Sequence, residues 1–154
     1  MRAAAACLLV LALSALAGCG GSGDDEGARA DGYVDAVDGV QQRFARDAER
    51  LGGLVSSTST PQSDRRALTA FETAVTGAAR RLRAIDPPDG VRGEHARLVR
   101  ALTRYGTLVR REARALDTGE AVKVERARDR LQRATTEIAR DVNATVDQIN
   151  AELR

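Results

Sequence analysis

The chain has 154 residues, with 24 Lys and Arg against 22 Asp and Glu, one His, two Cys, two Phe, two Tyr and no Trp. That length suits one compact domain. The near-neutral balance argues against DNA or RNA as a partner. Scarce His and Cys remove the usual ligands of haem, copper and structural zinc, so no cofactor and no metal site are expected.

The first segment has the parts of an export signal. Arg2 supplies a small positive start. Ala3 to Ala15 form an apolar run in which Leu8, Leu9, Val10, Leu11 and Leu13 carry most of the hydrophobicity. The small residues Ala17 and Gly18 precede Cys19. The run is too short for a membrane span, and a Gly-rich polar stretch follows it.

The tetrapeptide Leu16-Ala17-Gly18-Cys19 resembles the lipobox of bacterial lipoproteins and matches it at each of the three positions before the Cys. The resemblance covers residues 1 to 19. It implies cleavage between Gly18 and Cys19 and acylation of Cys19. Two acyl chains suffice for stable anchoring. The implied location is the extracytoplasmic face of a bacterial cell membrane, with membrane lipid as the first partner. The competing reading is an ordinary secreted protein cut after Ala15-Leu16-Ala17, which leaves Cys19 as a lone exported thiol. Cys7 falls in the discarded run, so the mature chain holds one Cys and no disulfide. The expected organisation is a signal peptide at 1–18, a lipidated Cys and flexible tether at 19–30, and a helical bundle at 31–154. The tether reads GGSGDDEG over 20–27, a solvated and unrestricted composition.

Four periodic segments follow. The first, from about Tyr33 to Val55, places Tyr33, Val37, Val40, Phe44, Ala48 and Leu51 at spacings of three and four, the mark of an amphipathic helix. Gly52-Gly53 can end it. The second runs from about Pro61 to Ile85, with Thr60 able to cap it and Pro61 in the first helical position. Its stripe is Leu68, Phe71, Val75, Ala78, Leu82 and Ile85, and Asp86-Pro87-Pro88-Asp89-Gly90 stops it. The third, about Val91 to Leu116, carries His95, Leu98, Leu102, Tyr105, Val109, Glu112/Ala113 and Leu116. Asp89 is its expected cap, and Asp117-Thr118-Gly119 makes a tight connection. The fourth runs from about Glu120 to Leu153 and holds the period through Val124, Ala127, Leu131, Ala134, Ile138, Val142, Thr145/Val146, Ile149 and Leu153. It is expected either to overhang the others or to break near Asn143.

Short loops between long helices imply antiparallel neighbours. The expected fold is all-α: an up-and-down antiparallel bundle of four helices with a long C-terminal helix. The alternative is a three-helix stack with a loosely attached first segment. Residues 24–49 carry eight acidic and three basic side chains, and residues 91–116 carry two acidic and seven basic. These segments either meet, facing each other diagonally or sharing an edge, or form two solvent faces serving different partners.

Candidate chemistry is sparse. His95 lies on the apolar stripe beside Glu94, where a packing role is expected. The Glu-x-x-His pattern of di-metal bundles fails, because residue 92 is Arg. Asp35 with Asp38, and Glu137 with Asp141, are expected on wet faces. Ser56, Ser57, Ser59 and Ser63 have no activating base nearby. No catalytic residue is assigned. Arg97, Arg100, Arg104, Arg111 and Arg114 recur at spacings of three, four and seven. Their stripe is either a solvated face or a contact for anionic lipid, wall polymer or an acidic envelope protein. Gly77 and Gly106 interrupt good helices at about 1 kcal/mol each and are candidates for close helix approach.

The stretch from Asp86-Pro87-Pro88 through His95 and the Leu/Arg helix after it is similar to small helical lipoproteins of uncharacterised function in high-GC bacteria, over about half the mature chain. The expected function is a non-catalytic, membrane-anchored interaction or scaffolding module. The alternative is a small-molecule or metal-binding extracytoplasmic sensor, which needs a pocket inside the bundle.

Overall fold

A computed structural model of the chain describes residues 24–52, 61–115 and 120–154. Gly18, Cys19, the connection at Asp117-Thr118-Gly119, and both Thr60 and Leu116 lie outside the described residues. Four helices form an up-and-down bundle: α1 (Asp24–Gly52), α2 (Pro61–Arg83), α3 (Arg92–Ala115) and α4 (Ala121–Glu152). Close backbone contacts join α1 to α2, α2 to α3 and α3 to α4. All four contribute to one core, through Tyr33, Val37 and Val40 of α1, Val75 and Leu82 of α2, Leu98 and Val109 of α3, and Val142, Val146 and Ile149 of α4. Each buried side chain of this size stabilises the fold by about 1.5–3 kcal/mol. The first helix is therefore an integral member of the bundle, and the three-helix alternative falls.

Two boundaries differ from expectation. Helix α1 begins at Asp24, well before Tyr33, so residues 24–30 of the expected tether are helical. Its first described side chains, Glu26, Gly27, Ala28 and Arg29, are exposed, so no apolar stripe marks them. Helix α2 ends at Arg83, and Ile85 N–H closes onto the Leu82 carbonyl at 2.9 Å before the Pro pair. Asp89 opens a single 3₁₀ turn, Asp89–Val91, and its carboxylate pairs with Arg92 at 2.8 Å.

Helix α4 runs unbroken through Asn143 for 32 residues, about 48 Å, against 24 residues and about 36 Å for α3. Its first turn is exposed, including Val122 at 62%.

A layer at mid-height ties the helices together. Phe44 (α1) and Phe71 (α2) lie 6.1 Å apart, and Phe71 meets Tyr105 (α3) edge-on at 6.0 Å. Thr135 of α4 donates its own hydroxyl to the Leu131 carbonyl at 2.8 Å. The Tyr105 hydroxyl therefore donates to Thr135 Oγ1, also at 2.8 Å.

Candidate interaction surface

Helix α3 is packed by α2 on one side and α4 on the other, with His95, Leu98, Val99, Ala101, Tyr105, Val109, Glu112 and Ala113 turned inward. What remains outward is Arg92, Arg97, Arg100, Thr103, Arg104, Thr107, Arg110, Arg111 and Arg114, all exposed. No acidic residue of α3 shares that exposed arc.

The arginines divide by partner. Arg97 donates to Gln148 Oε1 at 2.7 Å and lies 3.9 Å from Glu94. Arg110 donates through Nε to Glu72 at 3.1 Å. Arg111 donates to Glu112 Oε1 at 2.9 Å. Arg100, Arg104 and Arg114 form no ion pair among the described residues. The expected stripe is thus a single surface in which Arg97 and Arg111 are fixed by neighbours and Arg100, Arg104 and Arg114 are available. Arg83 of α2 reaches Thr103 at 3.4 Å and widens the basic face.

The acidic face lies elsewhere. Glu26, Asp31 and Asp35 of α1 are exposed and Asp38 is half-buried. Burial, and then the Asp35 charge beside it, raises the Asp38 pKa. Among the described residues no ion pair joins α1 to α3. The apolar faces of both helices meet in the core, so their charged faces point to opposite sides of the bundle. Of the two arrangements open in the sequence, the structure has two solvent faces.

Two buried polar clusters hold the interior. The Tyr33 hydroxyl lies 3.1 Å from His95 Nδ1. Burial pushes the Tyr33 phenol up to about 12, which keeps it the proton donor. His95 Nε2 is buried without a partner, as is Gln41 Oε1. Burial also lowers the His95 pKa, with the Leu82 backbone working against it. His95 therefore packs as a neutral ring, as expected from its place on the stripe.

Glu112 is legible in the sequence only as a break in the α3 stripe. It is 1% exposed. Arg130 of α4 donates twice to its Oε2, at 2.9 and 2.6 Å, and Arg111 holds Oε1. Burial alone raises the carboxyl pKa. Hydrogen bonds from Arg130 and then Arg111 outweigh that and hold it below 4.5. Both carboxylate oxygens are occupied, so this is an α3–α4 clamp. Of the other carboxylates considered, Glu137 and Asp141 are exposed.

Gly106 is the true close-approach residue. A Cβ there would sit 2.7 Å from Thr76 Cγ2 of α2, whereas one at Gly77 would meet only the Arg81 guanidinium at 3.5 Å. The best-formed depressions among the described residues are open grooves. One is lined by Arg65, Arg66, Thr69, Ala70 and Thr73, the other by Arg65, Thr69, Glu72, Arg110, Ala113 and Arg114. No cluster of three or more His, Cys, Asp or Glu that could hold a metal ion occurs among the described residues, and no described helix is long and apolar enough to cross a membrane. Comparison with family models, with curated proteins and with solved structures returns no match to this chain.

Proposed function

We propose that this chain is a membrane-anchored envelope lipoprotein whose bundle is a non-catalytic interaction module. In this reading acylated Cys19 is the anchor and the outer face of α3 is the contact surface. The observation that carries it is the exposed arc of α3, which has seven arginines and no acid, with Arg100, Arg104 and Arg114 lacking a counter-charge among the described residues. A basic face with three such arginines on a nearly neutral molecule steers anionic partners without driving general adhesion. The anchor rests on Leu16-Ala17-Gly18-Cys19.

The test is crosslinking in intact cells with identification of neighbours. It compares wild type, Cys19→Ser, and a variant with Arg100, Arg104 and Arg114, the stripe's arginines without an ion pair among the described residues, changed to Glu. The reading expects Cys19→Ser to lose membrane retention and the charge-reversed chain to lose its neighbours while staying anchored. Unchanged neighbours after reversal defeat the contact surface. An unmodified Cys19 in the membrane fraction defeats the anchor.

The sensor alternative has one observation in its favour, the unpartnered His95 Nε2. Tyr33 and Leu98 are packed into the same core cluster, and the best-formed depressions lie on the outside. The interaction module is the better-supported reading.

A further inference from the structure

Asp35 and Asp38 on the acidic face of α1 stand level with Arg97 and Arg100 on the basic face of α3, on opposite sides of one bundle. We infer that the outer face of α3 takes the outer face of α1 from a second copy of this chain, so that anchored copies line up side by side in the membrane plane. This rests on the proposed anchor and contact surface and names the occupant of that surface.

The matched height comes from the interior. Tyr33 of α1 touches His95 of α3 across the core. Both helices run in the same direction and rise 1.5 Å per residue. Asp35 therefore stands level with Arg97, and Asp38 with Arg100. The relation persists along the bundle, because Phe44 reaches the level of Tyr105 through Phe71. By the same register Asp31 stands level with Gly93, beside Arg92, and Arg104 level with Gln42, so the match is made by Asp35 with Arg97 and Asp38 with Arg100. Arginine is long enough to absorb the residual offset.

Within one molecule the two faces cannot meet, because the bundle lies between them. Between parallel copies they meet without any tilt. An anchor at the same end of every copy imposes that parallel arrangement. Each copy offers one acidic and one basic face, so the contact is heterologous and extends into rows. The net charge of +2 gives little long-range repulsion between copies. Exposed ion pairs are individually weak, so the contact needs the high effective concentration that tethering supplies. An anionic lipid surface accounts for the arginines alone. A second copy also accounts for Asp35 and Asp38 standing level with Arg97 and Arg100.

The test uses the full chain in native membranes, with Gln42→Cys on α1 and Thr107→Cys on α3, both at exposed positions. Mild oxidation should give a ladder of dimers, trimers and larger species that the parent chain without these cysteines does not form. R97E/R100E/R104E and D31R/D35R/D38R should each reduce the ladder about tenfold, the scale of a lost electrostatic interface. Co-expressing the two reversed chains should restore crosslinks between them, which also shows that both fold. No ladder from the two-cysteine chain with its native charges overturns the inference. So does a ladder that survives either reversal, or a mixture that restores nothing. If R97E/R100E/R104E instead loses binding to phosphatidylglycerol vesicles while its ladder is unchanged, the α3 face belongs to lipid and the inference falls. The acyl mass on Cys19, read from the same membranes, separates the two levels. Its absence defeats the anchor and the row together, whereas an acylated chain without a ladder defeats the row alone.

Discussion

Replacing glycine by alanine should have opposite effects at Gly39 and Gly106. At Gly39 an added Cβ meets nothing within 4 Å, so the substitution removes only the entropic cost of a helical glycine and stabilises by about 0.5–1 kcal/mol. At Gly106 the Cβ would lie 2.7 Å from Thr76 Cγ2 and 3.6 Å from Val75 Cγ1. Ordinary carbon contacts sit at about 3.5–4.0 Å. Thr76 cannot swing away cheaply, because its hydroxyl donates to the Glu72 carbonyl at 2.9 Å. Overpacking of this kind costs about 1–3 kcal/mol, and the gain in helix propensity offsets about 1 kcal/mol of it. The expected net loss is about 1 kcal/mol. Thr76→Ser removes the obstructing methyl and keeps the hydroxyl, so Gly106→Ala should become stabilising in that background. The cycle should show a coupling of about 1–2 kcal/mol between the two sites. Guanidinium unfolding followed by far-UV circular dichroism measures all four chains. A Gly106→Ala variant as stable as Gly39→Ala, or a coupling near zero, would refute the close α2–α3 packing on which the position of the α3 face depends.

The buried clusters make further predictions. His95 has a lowered pKa when folded, so the unfolded chain binds the extra proton first. Stability should be full above the ordinary 6.5 and fall as pH drops below it, a slope that His95→Phe removes in a pH series of denaturant midpoints. Glu112 is likewise held below its ordinary 4.5, so its contribution is present above that value and is lost as pH falls further. Glu112→Gln should cost about 1–3 kcal/mol at neutral pH through its lost charge-assisted bonds and should flatten the acid limb of the same series. Tyr33→Phe leaves His95 Nδ1 buried and unpaired, with an expected loss of about 1–2 kcal/mol in thermal or denaturant unfolding.

Helices with a buried stripe were legible from periodicity, because Leu98, Tyr105 and Val109 or Val142, Val146 and Ile149 recur on one face and meet one core. The start of α1 was not, because Gly27, Ala28 and Arg29 touch no core and carry no period. The arginine positions on α3 were readable, but their division into paired and unpaired was not. It depends on which residues of α2 and α4 lie opposite, as Glu72 does for Arg110 and Gln148 for Arg97. Gly77 and Gly106 look alike in sequence, and the distance to Thr76 alone tells them apart. Glu112 gave a signal, a charge on an apolar stripe, without its meaning, because Arg130 reaches it from the next helix. The charge contrast between α1 and α3 was equally visible, but only the packing puts the two on opposite sides.

The most direct measurement places a photocrosslinker at Thr107, on the outer face of α3, or at Asn143, on the exposed side of α4, in the full chain in living cells. The account predicts discrete adducts from Thr107 that vanish when the α3 arginines are reversed, and none from Asn143. Adducts from Asn143 with none from Thr107, or Thr107 adducts indifferent to the reversal, would contradict it.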